Sequence, residues 1–170
     1  MDYQNYLCSK TSSGLDILHD WRWATGSGLD IWQVTKAGNV LLQNPNDGSI
    51  HFLNITDGEV EQIASRVTDF EEKLADPENL ERWLNCLIVD GQAALGMRPA
   101  ADQCLSFVQP PILGGRIQPN NFEICDITVH LSISGQVLRQ VKELPPGTRI
   151  RNISIQTPET EHPKAWWKFW

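Results

Sequence analysis

Two adjacent glycines, Gly114 and Gly115, stand in QPPILGGRIQPNN behind Pro110, Pro111, Ile112 and Leu113. Glycine-rich loops can cradle a phosphate, but that chemistry needs a preceding strand, a helix directly after and usually a lysine. Here two prolines precede the pair and a second turn, RIQPNN, follows it. The pair therefore reads as backbone that bends sharply or approaches a neighbour closely. TGSGLDIW offers Gly26-x-Gly28, yet Ile31 occupies the place of the third glycine in a dinucleotide fingerprint, and a strand follows. NPNDGS, from Asn44, faintly resembles a calcium loop, but its twelfth position is Ile55 instead of a bidentate glutamate. A hairpin turn explains it better.

The remaining reactive side chains form no constellation. HExxH, GxSxG and SxxK do not occur. His19, His51, His130 and His162 are scattered; His51 and His130 fall on predicted strands and read as surface or packing residues. Glu71 and Glu72 are helix neighbours that point in different directions, so they are no acid/base pair. Cys8, Cys86, Cys104 and Cys125 contain no CxxC pair, which argues against zinc and for free thiols. No catalytic residue, metal ligand or cofactor is expected. An enzyme would have to assemble its site from distant residues.

Charge is unevenly spread. The segment from Asp57 to Glu81 holds nine of the 21 acids and only two of the 14 lysines and arginines, so it carries the whole net charge of -7. A direct nucleic-acid partner would want a basic face instead. A basic protein partner is compatible with it, because complementary fields speed encounter; a solvated, solubilising helix face is the plainer reading.

The elements follow from periodicity. A short helix is expected from Ser13, with Leu15, Leu18 and Trp21 at helical spacing, ended by Gly26 and Gly28. DIWQVT, VLLQ and IHFLNI, broken at KAGN and NPNDGS, predict a three-stranded antiparallel meander. Thr56 to Glu59 has capping-box spacing and predicts a helix with Val60, Ile63, Ala64, Val67, Phe70 and Leu74 on its buried stripe. Asp76-Pro77 starts a second helix, with Leu80, Trp83, Leu84, Leu87 and Ile88 inward. CLSFV, ITVHLSI and RIRNISIQ read as strands, with a short helix at Val137, Val141 and Leu144. The expected fold is α+β: an antiparallel sheet with helices packed mainly on one side. The chain divides into an N-terminal segment 1–28, one domain 29–156 and an aromatic tail 157–170. That tail, HPKAWWKFW, offers Trp166, Trp167 and Trp170 as a contact for the domain itself, a twin subunit or a partner. With neither a signal peptide nor an apolar run of bilayer length, the expected place is the cytoplasm.

Larger patterns carry a resemblance. DGSIHFLNITDGEVEQIASRVTDFEEKLADPENLERWL, then FVQPPILGG, then DITVHLSISGQVLRQVKELPPGTRI resemble the immunity proteins of bacterial type VI secretion toxins. The likeness is to the C-terminal domain often found behind a GAD-like domain, and it extends to the wider SMI1/KNR4-like (SUKH) group. It covers roughly Trp32 to Ile155 and rests on packing motifs, so it implies a fold and a role and no catalytic residue. The implied role is to bind and neutralise a cognate toxin. Many such toxins are nucleases with basic active faces. Glu61, Asp69, Glu72 and Glu81 are then the expected contacts, with a homodimer also compatible. The alternatives are an adaptor domain that binds through its aromatic tail, and an enzyme with a dispersed site.

Overall fold

The computed structural model describes residues 2–8, 16–145 and 147–156. Ser13 and Leu15 of the first expected helix, and the tail residues Trp166, Trp167 and Trp170, lie outside the described residues. The fold is α+β. Strands β1 (Asp30–Val34), β2 (Val40–Gln43), β3 (Ile50–Leu53) and β4 (Val60–Ala64) form one antiparallel sheet in sequence order. Strands β5 (Gln103–Phe107) and β6 (Phe122–Asp126) form a separate antiparallel pair. The expected three-stranded meander is present, extended by a fourth strand.

Both faces of the larger sheet are covered. Leu41, Ile50 and Phe52 enter one core with Phe70, Leu74, Trp83 and Leu84 from α2 (Val67–Lys73) and α3 (Pro77–Leu84). Val40, Leu42 and Leu53 point the other way, into a core with Trp21, Ile127, Leu131 and Leu138. The last three belong to α5 (Ile127–Val141). Strands buried on both faces read as continuous apolar runs, which is why VLLQ and IHFL look as they do. The N-terminal residues take part as well: Tyr6 and Leu7 lie in the first core and Leu18 and Trp21 in the second. The helix α1 (Arg22–Thr25) ends at Gly26, as expected, with φ at +64°.

Four expectations are corrected. Thr56 to Glu59 caps no helix; it lies in the loop between β3 and β4, and Val60 to Ala64 is strand. That loop repeats the one before it. In Asn44–Ser49 and again in Asn54–Glu59, the leading Asn and the Asp three residues later each accept a backbone N–H two residues on, and a glycine with positive φ follows the Asp. Asx geometry of this kind competes directly with a helix start. The second expected helix is broken at Asn85, which takes the left-handed conformation at φ 49°. Helix α4 (Cys86–Ala94) restarts in a new direction and leaves Leu87 76% exposed instead of buried.

ITVHLSI is helix rather than strand. Asp126 caps α5 by accepting the Thr128 and Val129 N–H groups at 2.8 and 3.2 Å, and the helix runs through the short helix expected at Val137. Its burial follows Ile127, Leu131 and Leu138, while Val129 and Ile133 are 48% and 41% exposed. Gly135 sits where a Cβ would lie 2.7 Å from the Asp20 carbonyl, so the helix can press against the turn that carries Trp21. RIRNISIQ pairs with no strand among the described residues. It runs antiparallel to α5 as an extended strap, held by two glutamines: Gln140 bonds the Ser154 carbonyl and N–H at 2.8 and 3.1 Å, and Gln136 does the same for Gln156 at 2.8 and 2.6 Å.

The Gly114-Gly115 pair is architecture, as the sequence implied. Gly114 closes a 3-10 turn (Pro111–Leu113) at φ +86°, and a Cβ on Gly115 would run into the Gln109 carbonyl. Buried Asn121 staples this loop: it accepts the Gln109 N–H at 2.9 Å and donates to the Gln109 and Arg116 carbonyls at 2.8 and 2.9 Å. Gly115→Ala is therefore expected to cost about 1–3 kcal/mol, the scale of overpacking a tight site, measured as a lower urea midpoint. An unchanged midpoint would mean that the loop relaxes freely.

Candidate functional site

The four expected contact residues stand on β4, α2 and α3. Glu61 pairs with Arg82 at 2.9 Å. Asp69, in the first turn of α2, accepts the Ser65 N–H at 2.8 Å and its hydroxyl at 3.1 Å and lies 3.4 Å from Lys73. The backbone N–H of Ser65 is the main cause holding the Asp69 carboxyl below its ordinary range. Glu81 accepts the Leu87 N–H at 3.0 Å, reaching across the Asn85 break to the first turn of α4. The exposed Glu72 carboxylate has no side-chain bond among the described residues. The acidic segment is thus partly structural: Glu61 ties β4 to α3, Asp69 holds the entry to α2, and Glu81 joins α3 to α4.

A groove opens beside this band. Under the loop that follows β5 lies a cavity of about 260 Å³, floored by Phe107, Val137 and Leu138 and rimmed by Val108, Ile112 and Ile133. A second cavity of about 190 Å³ lies next to it and shares Ile55, Thr56 and Phe107. Its wall includes Arg82, the partner of Glu61. The groove brings the β3–β4 loop against β5, β6 and α5, which lie much further along the chain, so no local motif announced it. The exposed apolar residues Val108, Ile112 and Ile117 around the Gly-Gly bend are the one signal the sequence offered.

His130 forms part of the wall of the first cavity. It is a packing residue, as expected, but on a helix and fully enclosed. Its Nε2 lies 3.1 Å from the Gly38 carbonyl, which can only accept, so Nε2 carries the proton and Nδ1 accepts from the Ser106 hydroxyl at 2.9 Å. Burial pushes its pKa down to about 4, with the Gly38 bond partly opposing. An imidazole this weakly basic is poorly matched to general-base work near neutral pH. The Ser106–His130 contact closes the core.

Among the described residues, no group of three or more His, Cys, Asp or Glu side chains could hold a metal ion. The cysteines are free, and burial pushes the Cys8 thiol up to about 12. No helix of the described residues is long and apolar enough to cross a membrane. Fold and site together define an α+β domain whose distinctive surface is a charged band beside a groove. Residues 64–138, less than half of the chain, match the family model described as T6SS immunity protein Tdi1, C-terminal. That stretch, from the end of β4 into α5, is similar to a type VI secretion immunity domain. It is shorter than the Trp32–Ile155 span over which the resemblance was read, and likeness to the SUKH group is not shown. A comparison with curated proteins gave no match.

Proposed function

We propose that this protein neutralises a cognate secreted bacterial toxin by binding it in the cytoplasm, without turnover. The match of residues 64–138 to an immunity domain carries this reading. The acidic segment supports a basic toxin surface as the target, and a nuclease is the toxin class whose active face is basic for a chemical reason: it must hold phosphates. Glu61, Asp69, Glu72 and Glu81 are the proposed contacts. They would lie where nucleic acid otherwise sits and steer encounter through their field.

The test is titration calorimetry and stopped-flow association with the toxin domain encoded beside this protein, at two salt concentrations. Tight one-to-one binding is expected, with an association rate that falls as salt rises. Changing Glu61, Glu72 and Glu81 to Gln and Asp69 to Asn together should slow association by about tenfold or more at low salt, the scale of lost steering, and flatten its salt dependence. Because Asp69 also holds Ser65 at the entry to α2, a variant that keeps Asp69 controls for lost stability. Unchanged association kinetics would move the interface off the acidic band, and no binding by the native protein would overturn the immunity reading.

A further inference from the structure

We infer that the cavity under the loop after β5 is the anchor pocket of the toxin interface and that it takes an aromatic side chain flanked by Lys or Arg on the toxin. This inference rests on the immunity reading above.

Size comes first. An apolar cavity of about 150 Å³ suffices to hold a benzene ring, and this one measures about 260 Å³. A phenyl or indole group fits; a drug-sized ligand would want more room.

The rim points the same way. Val108, Ile112 and Ile133 keep 60%, 39% and 41% of their surface in water. They stand together at one mouth, whereas scattered single exposures would mean nothing. Protein interfaces place an aromatic anchor in such a pocket and surround it with polar contacts that exclude water.

Charge selects the partner. Glu123 lines the pocket, and Thr56 in its wall is followed at once by Asp57 and, two residues further on, by Glu59. Lys142 meets Glu59 at 3.0 Å, while Asp57 bonds Asn54 and the Glu59 N–H, so Glu123 is the charged group that lines the pocket itself and Asp57 and Glu59 stand on the loop beside it. Ile55, Thr56 and Phe107 also line the second cavity, whose wall includes Arg82, the partner of Glu61. The apolar pocket and the acidic band are therefore neighbours, linked through the second cavity and Arg82. A basic protein surface bearing one aromatic side chain complements both parts at once.

The experiment uses the full chain and the toxin domain encoded beside it. Val108→Glu with Ile133→Glu alters two half-exposed rim positions, and a thermal melt of the free variant confirms that it folds. Calorimetry is expected to show binding weaker by about 30-fold or more, the scale of losing a hot-spot contact. Glu123→Lys alone should also weaken binding. Native-like melting with affinity within about threefold of native would overturn the pocket and leave the immunity reading intact, whereas a native protein that binds no toxin overturns both. If deleting residues 157–170 lowers the melting temperature of the native protein but not of the double variant, the chain's own tail is the occupant and the toxin assignment falls. A concentration-dependent dimer abolished by the double variant would overturn it in favour of a second copy.

Discussion

Trp21→Ala is expected to lower the unfolding free energy by about 3–5 kcal/mol, the range for emptying a buried large aromatic site. Trp21 has no exposed surface, stacks on Trp23 at 5.8 Å between ring centroids and donates its indole N–H to the Leu131 carbonyl at 2.8 Å. It joins the N-terminal turn to α5 across the second core. The loss comes from the vacated volume and not from a stranded acceptor, because the Leu131 carbonyl sits inside a helix where backbone also bonds it. For a chain of this size the melting temperature should fall by about 10 °C. Trp21→Phe refills most of the volume and loses mainly one hydrogen bond, so it should cost about 1–2 kcal/mol. If Trp21→Ala melted within about 2 °C of native, the N-terminal segment would be an appendage and not part of the core.

Stability should also fall between pH 6.5 and pH 4, and His130 is the main reason. The unfolded chain binds a proton at this histidine near its ordinary pKa of about 6.5, whereas burial holds the folded value at about 4. Below pH 6.5 the unfolded state therefore carries more protons than the folded state, and stability decreases as pH falls. Above pH 6.5 both forms are neutral and the contribution is constant. Integrated over the window the loss is roughly 3 kcal/mol. Urea unfolding at pH 7.5, 6, 5 and 4 measures it. Asp69 adds a loss of the same sign at lower pH, since its carboxyl is held below its ordinary value. In His130→Gln the slope between pH 6.5 and 5 should nearly vanish, although the variant is less stable throughout. A native protein with constant stability over that interval would mean that water reaches the imidazole.

The meander and the α+β class were legible because their signals are local. Asn and Gly mark each turn, and apolar runs mark each strand. The helix α5 departs from the expected strand for a physical reason: Ile127 and Leu131 are four apart, a spacing that both a strand face and a helix face satisfy. Only Asp126 as a cap and the close approach at Gly135 separate the two, and the second is visible only once Asp20 and Trp21 are in place. The loop at Asn54 repeats the Asn-x-x-Asp-Gly pattern of the Asn44 turn ten residues earlier, but its Thr56 to Glu59 spacing also satisfies a capping box. Asn85 hid in a run of good apolar spacing, since left-handed backbone at an asparagine leaves no mark in periodicity. The acidic band was legible as composition, but its internal roles were not. That Glu61 holds Arg82 and Glu81 caps the next helix depends on which elements meet. The groove left only its exposed apolar rim as a signal, because the β3–β4 loop that closes it lies far in sequence from the other walls.

The two glutamines of α5 grip the strap by its main chain alone. Residues four apart on a helix rise by about 6 Å, close to the span of about 6.6 Å between alternate residues of an extended chain, so the two carboxamides act as two teeth of a comb. Such a grip does not read side chains. It excludes only proline at 154 or 156, which would remove a bonded N–H; otherwise the strap's sequence is free to drift while its phase is kept. A slip of two residues that sets Ser154 opposite Gln136 and Asn152 opposite Gln140 would restore every bond, a slip of one would restore none, and this segment is therefore fixed by parity rather than by identity.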